Sequence, residues 1–207
     1  MTDVLPATPD GITRAVEVLR AGGLVAFPTD TVHGVACRPG DEDALARLSE
    51  LKGRPPSQRI GWFVADLGQA ARLGLVVDDR ATRLAGAFWP GGLTLVLAAG
   101  PDALPEVSPT LGVRVPAHDT ARQLLSAIGP LPQTSANPHG LPETLSTDDI
   151  RVAFAGNTLL DAVIDGASAG RVASSVVDLS VTPGRLRREG AVPRASLAEL
   201  VELLPPD

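Results

Sequence analysis

Ile12, Ala15, Val16 and Leu19 recur at steps of three and four, which predicts a helix with one buried face. Thr8, Pro9 and Asp10 supply its start and Gly22 and Gly23 its stop. The apolar run 24–27 has no helical period and predicts a short buried strand, ended by Pro28. A polar loop follows over 29–34, then a second short strand over 34–37. Asp41 caps a further helix whose buried face is Ala44, Leu45, Leu48 and Leu51. That helix delivers Lys52 and Arg54 at its end, before Pro55 and Pro56 forbid continuation.

Beyond it the pattern predicts strands over 60–65, 93–97 and 112–115, and helices over 67–73, 80–88, 118–128 and 147–154. Residues 100–110 read as a proline-rich loop and 135–140 as a polar one. Three late strands fall at 162–164, 175–179 and 185–188. Ser196 and Glu199 have the spacing of a capping box for a last helix. Strands and helices alternate early and strands cluster late. An α/β sheet of mixed direction is expected, in a single domain over residues 1–207.

Composition narrows the function. The chain carries a net charge of −6, which argues against a surface devoted to nucleic acid but leaves room for a local basic cleft. Six aromatic residues, none of them tyrosine, leave the core to aliphatic side chains. The single cysteine, Cys37, excludes an internal disulfide, fits a reducing compartment and sits in an apolar run as a core thiol. The N-terminus shows no leader pattern and no apolar stretch is long enough to cross a bilayer, so a cytoplasmic protein is expected. Lys52 is the only lysine; the other 17 basic residues are arginine. A compact ammonium kept where arginine serves everywhere else suggests a site that a guanidinium does not fit.

Three loops, 28–34, 52–59 and 133–140, concentrate hydroxyls, amides and cations beside glycine or proline. That is the chemistry of a phosphate or carboxylate site, and also that of ordinary turns. There is no Gly-x4-Gly-Lys-Ser/Thr, no Gly-x-Gly-x-x-Gly, no Gly-x-Ser-x-Gly and no metal-ligand spacing of His33, His118, His139 and Cys37. His118 reads as a surface or capping residue. Arg114 lies between Val113 and Val115 on a strand, so its side chain points away from both, into a cleft or into solvent.

The segments GLVAFPTDTVHG (23–34), LKGRP (51–55), FWPGGLT (88–94), GVRVP (112–116), TSAN (134–137), SSVVD (174–178) and LRREG (186–190) occur in the order seen in the YrdC-like family. The chain resembles that family, which includes the bacterial threonylcarbamoyl-AMP synthases, over nearly its whole length. The resemblance implies a twisted mixed sheet flanked by helices around a large concave cleft. It implies the conversion of L-threonine, bicarbonate and ATP to threonylcarbamoyl-AMP and pyrophosphate, for modification of tRNA position 37. The alternative is a paralogue that binds RNA or nucleotide without making the adenylate.

The family's catalytic signature falls on Lys52, Arg54, Ser135 and Asn137, its threonine positions on Thr31, Arg114 and Ser174, and its further ATP contacts on Gln58, Thr110, Gln133, Glu143 and Arg188. ATP enters as substrate, magnesium is expected with it, and no protein-bound metal is implied. The expected partners are these small molecules and the downstream tRNA threonylcarbamoyl transferase machinery, with direct tRNA binding left open but not indicated, and no membrane. The chain departs from the family pattern at His33 (usually Tyr), Val35 (usually Leu), Gln58 to Ile60 (usually Lys/Asn-Pro-Leu) and His139 (usually Ser).

Overall fold

The helix signals translate directly. In the computed structural model, which describes residues 2–53, 60–104, 107, 109–170 and 172–205, the first helix α1 (Pro9–Arg20) starts at Thr8, whose hydroxyl accepts the Gly11 N–H. It buries Ile12, Ala15, Val16 and Leu19. Helix α2 (Glu42–Lys52) is capped by Asp41, which accepts the Ala44 N–H at 2.9 Å, and stops at Gly53 with φ 65°. Only glycine adopts that left-handed stop without strain. The buried stripe of α2 is rotated from the expected one: Leu45 is exposed, while Ser49 and Lys52 are inside.

Among the described residues ten strands form one open sheet: β1 (Asp3–Leu5), β2 (Val25–Phe27), β3 (Gly34–Ala36), β4 (Gly61–Phe63), β5 (Leu93–Ala98), β6 (Thr110–Arg114), β7 (Leu131–Ser135), β8 (Ala162–Ile164), β9 (Ser175–Asp178) and β10 (Arg185–Arg188). Their order is β1-β8-β2-β3-β7-β4-β6-β5-β9-β10. Parallel pairs (β1–β8, β2–β8, β4–β6, β5–β9) are mixed with antiparallel ones, so the expected mixed direction is what forms. Two strands have no clear counterpart in the pattern. β1 is too short to show a period. β7 holds Pro132 and a polar end, Gln133–Ser135, yet lies between β3 and β4, with Pro132 opposite Trp62. Proline in a central strand reads against a strand.

Alternation in β2 assigns the two faces. Val25 and Phe27 join Ile12, Leu19, Ala121 and Leu124 in the layer of α1 and α5 (Asp119–Ile128). Leu24 and Ala26 join Leu48, Leu51, Ile150 and Phe154 in the layer of α2 and α6 (Thr147–Ala153). A third core, around Leu84, Leu95, Val113 and Val177, fills the β5–β6–β9 half beneath α4 (Asp79–Phe88). The short α3 (Leu67–Arg72) lies between β4 and α4 in the chain. The last helix, α7, is Arg194–Ala198; Pro193 precedes it and no side chain caps it, so the pattern at Ser196 and Glu199 is not its start. Cys37 is fully buried, its thiol pushed up to about 12 chiefly by burial, which suits an inert core residue. His118 caps α5, its Nδ1 accepting the Thr120 N–H at 3.3 Å.

Candidate active site

The middle of the sheet is where β3, β7, β4, β6, β5 and β9 meet, and a cleft of about 320 Å3 opens over them. Alternation builds its floor. In β5 Leu93, Leu95 and Leu97 face the core, which turns Thr94 and Val96 to the cleft. Thr110, Gly112 and Arg114 alternate in the same way along β6, and Val176 does so in β9. Of the residues named from the sequence, Thr31, Thr110, Arg114, Gln133, Ser135, Glu143, Ser174 and Arg188 all line this one cavity. Arg54 and Gln58 lie outside the described residues, as does Arg59.

On one wall the turn after β2 is tied down by its own hydroxyls. Thr29 Oγ1 donates to Val32 O at 2.6 Å and accepts the Thr31 N–H at 3.1 Å. Arg114 stands beside that turn, only 5% exposed. Its Nε donates to Gly91 O (2.8 Å), Nη1 to Thr31 Oγ1 (2.8 Å) and Nη2 to Asp30 Oδ1 (2.6 Å); its carbon also lies 5.5 Å from the Phe63 ring centre. Burial lowers its pKa and Asp30 opposes that shift. Across the floor, Ser174 Oγ meets Thr94 Oγ1 at 2.9 Å, while Arg188 Nε donates to Ser174 O at 2.9 Å. The choice between cleft and solvent for Arg114 thus falls to the cleft.

Lys52 has a different placement from the expected one. It is buried at 3% exposure and does not line the cavity. Its ammonium donates to Ser135 O (2.6 Å), Asn137 Oδ1 (2.9 Å) and Asn137 O, and reaches Ser135 Oγ at 3.3 Å. Asn137 Nδ2 in turn donates to Leu141 O at 2.6 Å, and the His139 N–H closes the end of α2 on Lys52 O at 2.8 Å. Lys52 therefore ties the 135–141 loop from behind, and Ser135 is the member of this knot that faces the cavity.

Among the described cleft-lining residues Arg114 and Arg188 oppose one carboxylate, Glu143, so this described lining is not acidic although the chain is. Among the described lining residues Glu143 is the one carboxylate that could help hold a divalent cation entering with a nucleotide. Asp30, Phe63, Thr94 and Gly112 were not singled out as site residues by sequence. Thr94 and Gly112 were visible as the polar or small positions of otherwise apolar alternating strands; Asp30 had no signal beyond its turn.

His33 is fully buried in the cleft wall, with Nδ1 2.8 Å from Ser168 Oγ. Burial pushes its pKa down to about 4. Between that value and the ordinary 6.5 the unfolded chain binds a proton that the folded chain does not. Stability is then complete above about pH 7 and falls as the pH drops toward 4, by about 2 kcal/mol at pH 4.5. Urea unfolding of H33Q at pH 7 and 4.5 is expected to show that much less acid sensitivity. Equal pH dependence in H33Q and wild type would count against it.

The open mixed sheet and its hydroxyl- and arginine-lined cleft define an α/β protein whose cleft chemistry suits a small anion. The family described as Telomere recombination (Sua5/YciO/YrdC) matches residues 17–190, and the chain belongs to it. A putative threonylcarbamoyl-AMP synthase of Mycobacterium leprae is 36% identical over 207 residues, covering 96% of this chain and 93% of that protein. Pyrococcus abyssi Sua5 complexed with L-threonine superposes with a TM-score of 0.87 at 32% identity, covering 99% of this chain and 63% of that one. Escherichia coli YciO superposes at 0.81 with 28% identity, covering 92% of this chain and 97% of that one. The chain thus spans nearly all of the mycobacterial relative and of YciO, and less than two thirds of the archaeal chain.

Proposed function

We propose that this chain, acting as one domain, makes threonylcarbamoyl-AMP and pyrophosphate from L-threonine, bicarbonate and ATP. The observation that carries this reading is the gathering of Thr31, Arg114 and Ser174 with Thr110, Gln133, Ser135 and Arg188 around one cleft. The relatives' names and the L-threonine complex of a similar fold support it.

The chemistry follows from those side chains. The threonine amine, as the free base, attacks the carbon of CO2 or bicarbonate; a C–N bond forms and the N-carboxylate results, with loss of an amine proton to solvent in the first case and of water in the second. An oxygen of that carboxylate then attacks the α-phosphorus in line, an O–P bond forms, and the bond to the β-phosphate breaks to release pyrophosphate. Such a transfer needs positioning and charge neutralisation more than covalent help. Arg114 and Thr31 hold the threonine carboxylate side, with Ser174 across the floor. Ser135 and Thr110 donate to phosphate oxygens, Arg188 offsets their charge, and Lys52 and Asn137 hold Ser135 in place. Arg54 and Gln58 remain proposed ATP contacts on the sequence resemblance. Magnesium accompanies the nucleotide, supplying charge neutralisation on the phosphates.

The product, a reactive mixed anhydride, passes to a tRNA threonylcarbamoyl transferase in the cytoplasm, with no direct tRNA contact required here. Among the described residues no helix is long and apolar enough to cross a membrane. The test is pyrophosphate release from ATP with threonine or bicarbonate omitted in turn, with the product identified by mass. Release that ignores threonine overturns the reading. The second reading is a relative that binds nucleotide or RNA without making the adenylate. Nucleotide binding with no threonine-dependent release would select it.

A further inference from the structure

Arg114 is a buried cation in a cleft that must also admit a polyanion. A lone guanidinium there would attract any anion, and most strongly the most highly charged one. Asp30 bears on this directly. It does not line the cavity; its carboxylate, 14% exposed, stands behind the guanidinium. Oδ1 accepts from Arg114 Nη2 at 2.6 Å and from the Ala117 N–H at 3.0 Å, so it is itself anchored to backbone. Thr31 Oγ1, Gly91 O and the Phe63 ring hold the other sides of the same group. Each terminal nitrogen carries a second N–H beyond these bonds.

We propose that Asp30 is a positioning and selectivity residue: it fixes the plane of Arg114 and offsets its charge, making this end of the cleft a site for a singly charged carboxylate rather than for phosphate. A triphosphate is thereby disfavoured at the Arg114 guanidinium itself. The inference rests on Arg114 receiving the threonine carboxylate and adds the reason that ATP does not occupy the same place.

The experiment is steady-state pyrophosphate release with threonine varied and inorganic tripolyphosphate as inhibitor, in wild type, D30N, R114K and the double variant. In wild type, tripolyphosphate is expected to compete with ATP and not with threonine. D30N is expected to raise the threonine KM about 10-fold, leave the ATP KM within about 2-fold, and make tripolyphosphate competitive against threonine. In the R114K background the further D30N change is expected to alter the threonine KM less than about 2-fold, because both act through one group. An unchanged inhibition pattern in D30N, or an effect of equal size in both backgrounds, overturns the proposal. If D30N does not fold, D30N/R114Q removes both buried charges and is expected to fold; its failure to fold also counts against Asp30 acting through Arg114. Wild-type enzyme that needs no threonine would instead defeat the underlying reading, a result seen before any variant is made.

Discussion

Lys52→Arg will lose most of the activity although it keeps the charge. The Lys52 ammonium sits at 3% exposure among Ser135 O, Ser135 Oγ, Asn137 O and Asn137 Oδ1, oxygens gathered around one tetrahedral nitrogen. A guanidinium is planar and larger, and its N–H fork does not converge on such a set. To enter, it must displace the 135–137 loop, and Ser135 faces the cleft from that loop. A shift of about 1 Å at a positioning group costs on the order of 100-fold in kcat/KM. Overpacking adds a stability loss of about 1–3 kcal/mol. K52M removes the donor and leaves buried acceptors unmet, so it is expected to be at least as damaging. Pyrophosphate release and urea unfolding on K52R and K52M read both effects; wild-type turnover in K52R would show that the ammonium is not required.

Gly170→Ala is expected to be the second severe change, from a residue with no functional group. A Cβ at 170 would lie 2.5 Å from Asp30 O, 2.7 Å from Thr31 Cα and 2.9 Å from Thr31 O. All three are backbone atoms and cannot rotate aside. The turn must move, and with it the Thr31 hydroxyl that accepts from Arg114 at 2.8 Å. The expected result is a fall of about 10- to 100-fold in kcat/KM for threonine. G86A, in α4 with nothing within 4 Å of the added methyl, is the control and is expected to be neutral or to stabilise by up to about 1 kcal/mol. Equal kinetics in G170A and G86A would refute the crowding argument.

Helices were legible wherever a cap and a period coincided, as at Thr8 with Ile12–Leu19 and at Asp41. β7 was not, because the positions that make it useful, Gln133 to Ser135, are polar for the sake of the cleft and break the apolar signal of a central strand. The same conflict hid the inner face of α2, where Ser49 and Lys52 are buried and Leu45 is not. Arg114 could be read from its apolar neighbours because alternation fixes direction on a strand. Its partner Asp30 could not, since nothing local links residue 30 to residue 114. The odd chemistry of Lys52 was visible in composition, but the direction of its ammonium, toward a loop rather than toward the cavity, depends on a contact across more than eighty residues.

The strand order has a consequence for synthesis on the ribosome. β9 pairs with β5 and brings Ser174 to Thr94, and β10 pairs with β9 and carries Arg188. β8, which separates β1 from β2, also arrives after most of the sheet has been made. Pairings this distant close slowly, so a growing chain holds Thr31 and Arg114 long before it holds the other side of the cleft. A nascent or truncated chain lacking β9 and β10 therefore has half a cavity over an unpaired β5 edge, a surface prone to pair with other chains. The residues proposed to hold threonine and ATP are brought together only once β9 and β10 are made, and β9 is also the strand that covers that edge.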